Sequence, residues 1–274
     1  MNGRTRRMAC ASRAAFRHAS WAAAFLLCCV TLPARSEEPC RPGARSETVA
    51  AGANDARSIR LADGRELRLA GLAFIASSGT SSPAIARQAT RTLDELVRGQ
   101  TVVWHAPKTT PDRYGRIAAY VFVNHAETPV QYNLLAKGLA LVSAGATDAD
   151  CRMALLREEN AARTARLGLW SGSGYALAAA DGAGLRANIG RFAVVEGQVV
   201  SVRRSGGTIY VNFGRRWSEA LTVTITRRQE PAFAAAGLAP RTFEGRRLRV
   251  RGTIDLRNGP VIAAAGPEQI EFDP

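Results

Sequence analysis

The sequence predicts a mainly β, α+β protein built from two small domains in series. Three observations predict this. Residues 46–170 read as three strands, a helix, two strands and two helices. Residues 171–190 (S-G-S-G-Y-A-L-A-A-A-D-G-A-G-L-R-A-N-I-G) are small and Gly-rich without a strong period, which marks a linker. Residues 191–274 are mostly strand, with one helical segment between the third and fourth of the strand runs, the pattern of a small OB-like β-barrel.

The elements follow in order. Residues 1–36 hold six arginines, no acids and an apolar run from Trp21 to Leu32 that ends near Ala34-Arg35-Ser36. This is the layout of a cleaved secretory signal peptide and is too short for a membrane span; an uncleaved anchor is the alternative. A short N-terminal segment, 37–45, leads into the first domain. Ser58–Leu61 and Glu66–Leu72 alternate apolar and polar residues around Asp63-Gly64, a hairpin signal. Pro83 to Arg98 carries Ile85, Ala89, Leu93 and Val97 on one helical face and stops at Gly99. Strands are predicted at 101–105 and 117–123, a short helix from Val130 to Lys137 ended by Gly138, and a longer helix over 149–167 ended by Gly168.

In the second domain, Phe192–Val202 is a long strand-like run turned by Gly206-Gly207 into Thr208–Phe213. Ala220–Thr226 is a strand, Pro231–Leu238 a short helix, and Arg246–Leu256 with Pro260–Ala264 a hairpin through Asn258-Gly259. Arg247, Arg249 and Arg251 alternate with Leu248 and Val250 and so share one strand face. With the interleaved Tyr210, Phe213 and Trp217, they fit either single-stranded nucleic-acid binding or a solvated, structurally neutral face.

Four segments of the first domain, in this order, resemble the staphylococcal-nuclease-like (thermonuclease) family: R-L-A-D-G-R-E-L-R-L-A-G-L, D-R-Y-G-R, Y-N-L-L-A-K-G-L-A and E-E-N-A-A-R-T-A-R-L-G-L-W. The resemblance implies an OB-like five-stranded barrel with three helices. It also implies phosphodiester hydrolysis in DNA and RNA with calcium. That chemistry needs two arginine forks on the phosphate oxygens, carboxylates on a hard cation, and a Glu to take a proton from water. By the same resemblance, Arg68 and Arg116 match the two phosphate arginines, and Arg113 and Tyr114 match positions beside the substrate. The carboxylate positions depart from the pattern. Where active members read D-G-D-T, this chain reads Asp55-Ala56-Arg57-Ser58, so a metal ligand is replaced by Arg57. Where they read D-[AT]-P-E, it reads Ala73-Phe74-Ile75-Ala76, so the second metal ligand is Ala73 and the base Ala76.

The charge is compatible with a polyanionic partner. Of 37 basic residues the leader takes six, which leaves 31 against 23 acidic ones, a net +8. Setting aside Cys10, Cys28 and Cys29 of the leader, Cys40 and Cys151 remain and predict one disulfide. His105 and His125 have no zinc-like spacing with them.

The expectation is thus an exported protein, periplasmic or secreted. It is a catalytically impaired member of its family that retains phosphate or nucleic-acid binding through Arg57, Arg68, Arg113, Tyr114 and Arg116. No cofactor and no metal site are expected, and the partner is DNA, RNA or another polyanion. Two alternatives stay open. One is a nuclease using a displaced metal, with calcium as its cofactor. The other is a structural or protein-interaction module of the cell envelope.

Overall fold

Alternation of apolar and polar residues, broken at glycine turns, sets the first half of the chain. The structure, a computed structural model, describes residues 39–74, 82–145, 149–172 and 176–272. The predicted leader, Ala76 and Ile75 therefore lie outside the described residues. The first elements are β1 (Ala44–Asp55), β2 (Ser58–Leu61), β3 (Glu66–Leu69), β4 (Leu72–Ala73), α1 (Ser82–Val97), β5 (Thr101–Ala106), β6 (Arg116–Val123), α2 (Val130–Ala136), β7 (Leu141–Val142) and α3 (Ala149–Thr164).

Strands β1, β2, β3, β6 and β5 close into a five-stranded barrel in that order, with α1, α2 and α3 as its three helices. β1 is long enough to serve both ends of the ring: its first half pairs with β5 and its second half with β2. Register shifts at Ala50/Gly52 and Ala53/Asp55 bend it between the two partners. The ring closes through the parallel pairing of β3 with β6, where Glu66 lies opposite Arg116 and Arg68 opposite Ala118. Ile59, Leu61, Leu67 and Leu69 are almost wholly buried, whereas Arg60 and Arg68 face outward from the same strands.

Two side chains lock helices to this ring. Asp94 of α1 accepts a 2.9 Å hydrogen bond from the Ala53 amide at the bend of β1. Gln131 of α2, fully buried, donates to the Ala119 carbonyl at 2.9 Å. The Cys40–Cys151 disulfide forms as expected and ties the approach to β1 to the first turn of α3.

The sequence places the end of α3 at Gly168, but the helix stops at Thr164. Arg166 takes the left-handed turn (φ 53°), and the Leu167 amide closes back on the Ala162 carbonyl. Gly168 has a different task. A Cβ there would come within 2.4 Å of the Gly138 carbonyl oxygen, so the two glycines let the ends of α2 and α3 touch. The two-residue ladder of β4 with β7 is another feature the sequence pattern does not announce.

The chain continues through β8 (Ala176–Ala178), α4 (Gly182–Ala187), β9 (Phe192–Gln198), β10 (Ser201–Ser205), β11 (Thr208–Asn212), β12 (Thr222–Thr226), α5 (Glu230–Ala235), β13 (Arg247–Thr253), β14 (Asp255–Leu256), β15 (Pro260–Ala263) and β16 (Ile270–Phe272). These strands form a five-stranded sheet, β10-β11-β12-β15-β14, and a four-stranded sheet, β16-β13-β9-β8. The predicted single run 192–202 is two strands, since it leaves one sheet at Gln198 and joins the other at Ser201. The two sheets enclose one core that includes Val195, Ile209, Val211, Val223, Phe233, Phe243 and Val250. The ladders thus make a two-sheet β domain and not a closed ring like the first.

The stretch 171–190, expected as a linker, carries structure. β8 pairs in parallel with β9, and α4 is capped by Asp181, whose side chain accepts from the Gly184 amide. Gly182 is needed for close packing: a Cβ there would lie 2.5 Å from the Glu219 carbonyl oxygen.

Candidate nucleic-acid interface

The predicted site residues gather on the outer face of β2, β3 and β6 and in the loops at its edge. In the β1–β2 turn, Asp55 Oδ1 accepts the Arg57 amide at 2.7 Å and the Ser58 hydroxyl at 3.0 Å. This Asx turn directs the Arg57 side chain outward, and its guanidinium stays 3.9 Å from Asp55 Oδ2. The Arg57 carbonyl accepts the Leu69 amide at 2.8 Å, which seats Arg57 beside Arg68 on the neighbouring strand.

Across the ladders, Ser58 pairs with Arg68 and Arg68 with Ala118; one step along, Arg60 pairs with Glu66 and Glu66 with Arg116. Arg68 and Arg116 thus stand on adjacent strands two positions apart, about 8 Å from strand geometry. Arg68 is exposed and makes no ion pair among the described residues.

The loop D-R-Y-G-R before β6 is built around Asp112. Its Oδ1 accepts the amides of Tyr114 (2.9 Å) and Arg116 (3.1 Å), and Oδ2 takes a fork from Arg116 Nε (3.1 Å) and Nη2 (2.9 Å). Gly115 supplies the left-handed turn (φ 80°). The Arg116 guanidinium and its amide, with the Tyr114 amide, hold the Asp112 carboxyl down to about 2. Donation to the Asp112 carboxylate raises the pKa of Arg116, with smaller contributions from the charges of Glu66 and Asp55. The β1–β2 turn and the start of β6 therefore share one electrostatic neighbourhood. Tyr114, 65% exposed, lies between Arg113 (4.9 Å to the ring) and Arg116 (5.0 Å).

Arg57, Arg68, Arg113, Tyr114 and Arg116 are thus brought together. Ala73 is not beside them in the same sense. It lies in β4, half-buried, and packs on the apolar cluster of Leu141, Ala162, Leu169, Trp170 and Val194. Ala76 falls outside the described residues. Among the described residues, no three His, Cys, Asp or Glu side chains converge as a metal site would require.

The histidines lie elsewhere. His105 is buried edge-to-face on Phe122 (5.8 Å), and burial, then the charges of Arg41 and Arg45, push its pKa down. His125 is exposed, 3.4 Å from Glu47.

The arginine face of β13 requires a correction. Arg249 and Arg251 are not solvent-facing ligands for a phosphate backbone but are buried. Arg251 donates to Glu159 of α3 (3.0 Å), to Glu271 (2.6 Å) and to the Val142 carbonyl (2.9 Å). Arg249 bonds Glu196 (2.7 Å), which also pairs with Arg163 of α3 (2.7 Å). Phe213 is likewise core, whereas Trp217 is 61% exposed. Sequence alternation locates this face but not what covers it.

Residues 67–172 match the family model of staphylococcal nuclease homologues, a span that contains Arg68, Ala73, Ala76, Arg113, Tyr114 and Arg116. A search of curated proteins gives no match.

Proposed function

From a chain that carries a staphylococcal-nuclease-like domain over residues 67–172, we propose a protein that grips the phosphates of DNA or RNA on its barrel without efficient calcium-dependent hydrolysis. The observation that carries this reading is the pairing of a preset Arg116, clamped by Asp112, with a free Arg68 one strand away. Two guanidinium forks at that spacing suit the non-bridging oxygens of a phosphodiester. Arg113 and Tyr114 add a cation and an exposed ring on which a base can stack.

Calcium does not fit the residues here. It takes six to eight oxygen ligands. Asp55 already spends one oxygen on the Arg57 amide and the Ser58 hydroxyl, and Arg57 brings a positive charge to the same turn. We assign Arg57 the part of a fixed cation that attracts phosphate but activates no water.

Export accompanies this reading. The leader-like residues 1–36 and the Cys40–Cys151 disulfide support it, and no helix among the described residues is long and apolar enough to cross a membrane. N-terminal sequencing of the mature protein is expected to begin near Glu37.

The binding test uses the purified disulfide-bonded protein with labelled single-stranded DNA and RNA, in calcium or chelator. Expected is salt-dependent binding without cleavage, with the salt slope falling by about 0.7 for each of Arg57→Ala and Arg68→Ala. Chelator-sensitive cleavage overturns the proposal in favour of a nuclease. Absence of binding overturns it in favour of an envelope module.

A further inference from the structure

We propose that the open face of the sheet β10-β11-β12-β15-β14 is a second binding site, for single-stranded nucleic acid, separate from the barrel arginines. Alternation runs through Thr208–Val211 of β11 and Thr222–Thr226 of β12. Ile209, Val211, Val223 and Ile225 point into the core, while Thr208, Tyr210, Thr222 and Thr224 point out. The outward face is concave and encloses a groove of about 640 Å³.

Its composition is unlike that of a merely solvated sheet. The second domain has eight acidic residues, yet no carboxylate lines this groove. Arg203 and Arg257 do. Arg203 has no carboxylate partner among the described residues, and Arg257 has only an exposed contact with Asp255 at 3.2 Å. An anion entering the groove meets two cations and no fixed negative charge in its lining.

The floor and rim suggest which anion. One cross-sheet row runs Arg203, Tyr210, Thr224, Ala263, so a cation, an aromatic ring and two small side chains stand side by side on four strands. The floor is low enough for a flat base to lie on it beside the ring. At one end of the groove stands Trp217, the most exposed tryptophan described. Its backbone is wedged against the β14–β15 turn: a Cβ at Gly259 would be 1.9 Å from the Trp217 carbonyl oxygen. The backbone is thus fixed at the end of the groove, while the ring gains nothing from the core and keeps a face open for stacking. Two aromatic faces, guanidiniums beside them and hydroxyls between them match the chemistry of unpaired bases on a charged backbone, since stacking requires exposed base faces. A neutral sugar would use the rings and hydroxyls but not the two cations.

The test removes the barrel contribution first, in an Arg57→Ala/Arg68→Ala/Arg116→Ala background, so that failure of either site is seen separately. The probe is an eight-residue oligothymidylate, within the about 4–16 nucleotides that such sheets hold. The protein used starts at Glu37 and so lacks Trp21; Trp104 and Trp170 are buried, and fluorescence quenching by the probe reports Trp217. Expected are saturable quenching, roughly tenfold weaker binding for Trp217→Ala and for Tyr210→Ala, and a salt slope lower by about 0.7 for Arg203→Ala. Trp217 and Tyr210 carry no core packing that would unfold the domain, and circular dichroism checks this. The proposal is overturned if the probe fails to quench. It is equally overturned if the aromatic variants bind like the parent. Base-free heparin displacing the probe at equal charge concentration, or a neutral glucan quenching in its place, also overturns it.

Discussion

Replacing Arg251 by alanine tests how the second β domain is fastened to α3. Arg251 and Glu159 have side chains only 1% and 2% exposed, and Glu271 completes the triad at 16%. Burial opposes the charge on Arg251, and the attraction of Glu159 and Glu271 more than offsets it, so its pKa is raised. Truncation removes this cation and leaves Glu159 buried, with the Val142 amide as its remaining partner. The cost of an uncompensated buried charge is about 3–5 kcal/mol. At a urea dependence of about 3 kcal/mol per molar, the midpoint should fall by about 1–1.7 M. Arg251→Met combined with Glu159→Gln should recover most of the loss, because the charges are then removed together. Equilibrium urea unfolding followed by tryptophan fluorescence reads both. A shift for Arg251→Ala below about 0.3 M would refute the reasoning, since that is the value of an exposed pair. Oligonucleotide affinity and its salt slope should not move, because this arginine is closed off from solvent.

Three further outcomes are expected. Cys40→Ser/Cys151→Ser opens a loop with a sequence separation of 111 and should lower stability by about 4–5 kcal/mol on the chain-entropy estimate, read by thermal unfolding with and without reductant. Asp112 has its carboxyl held at about 2, below the usual 3.8, so its contribution to the loop is complete above pH 3.8 and is lost as pH falls through about 2. An NMR titration of the Asp112 carboxyl centred near 4 would contradict this. The triple change Arg57→Asp, Ala73→Asp, Ala76→Glu should create chelator-sensitive cleavage, and should lower the melting temperature without calcium and restore it with calcium in excess. A variant that binds calcium and still does not cleave would count against the inherited geometry of Arg68 and Arg116.

Which features the sequence disclosed depends on how local their causes are. The β2–β3 hairpin and the stop at Gly138 are decided within a few residues, and each is found where the pattern puts it. The ring order β1-β2-β3-β6-β5 required the family resemblance, because a parallel closure of β3 on β6 leaves no trace in either strand alone. The arginines of β13 show the limit most clearly. R-L-R-V-R alternates in the same way whether its polar face meets water or a carboxylate. The partner, Glu159, lies 92 residues away on a helix. The opposite holds at 171–190, where small residues read as slack although Ala176–Ala178 pair with β9 and Gly182 serves close packing. Tyr210 and Trp217 were legible as aromatics near arginines. Only the sheet separates them from Phe213, which turns inward.

The seating of Ala73 has an electrostatic consequence. Ala73 packs against the apolar cluster of Leu141, Ala162, Leu169, Trp170 and Val194, the last contributed by a strand of the second β domain. An acid at this position would place a charge against packed hydrocarbon. The second β domain thus helps to decide which side chains residue 73 can carry.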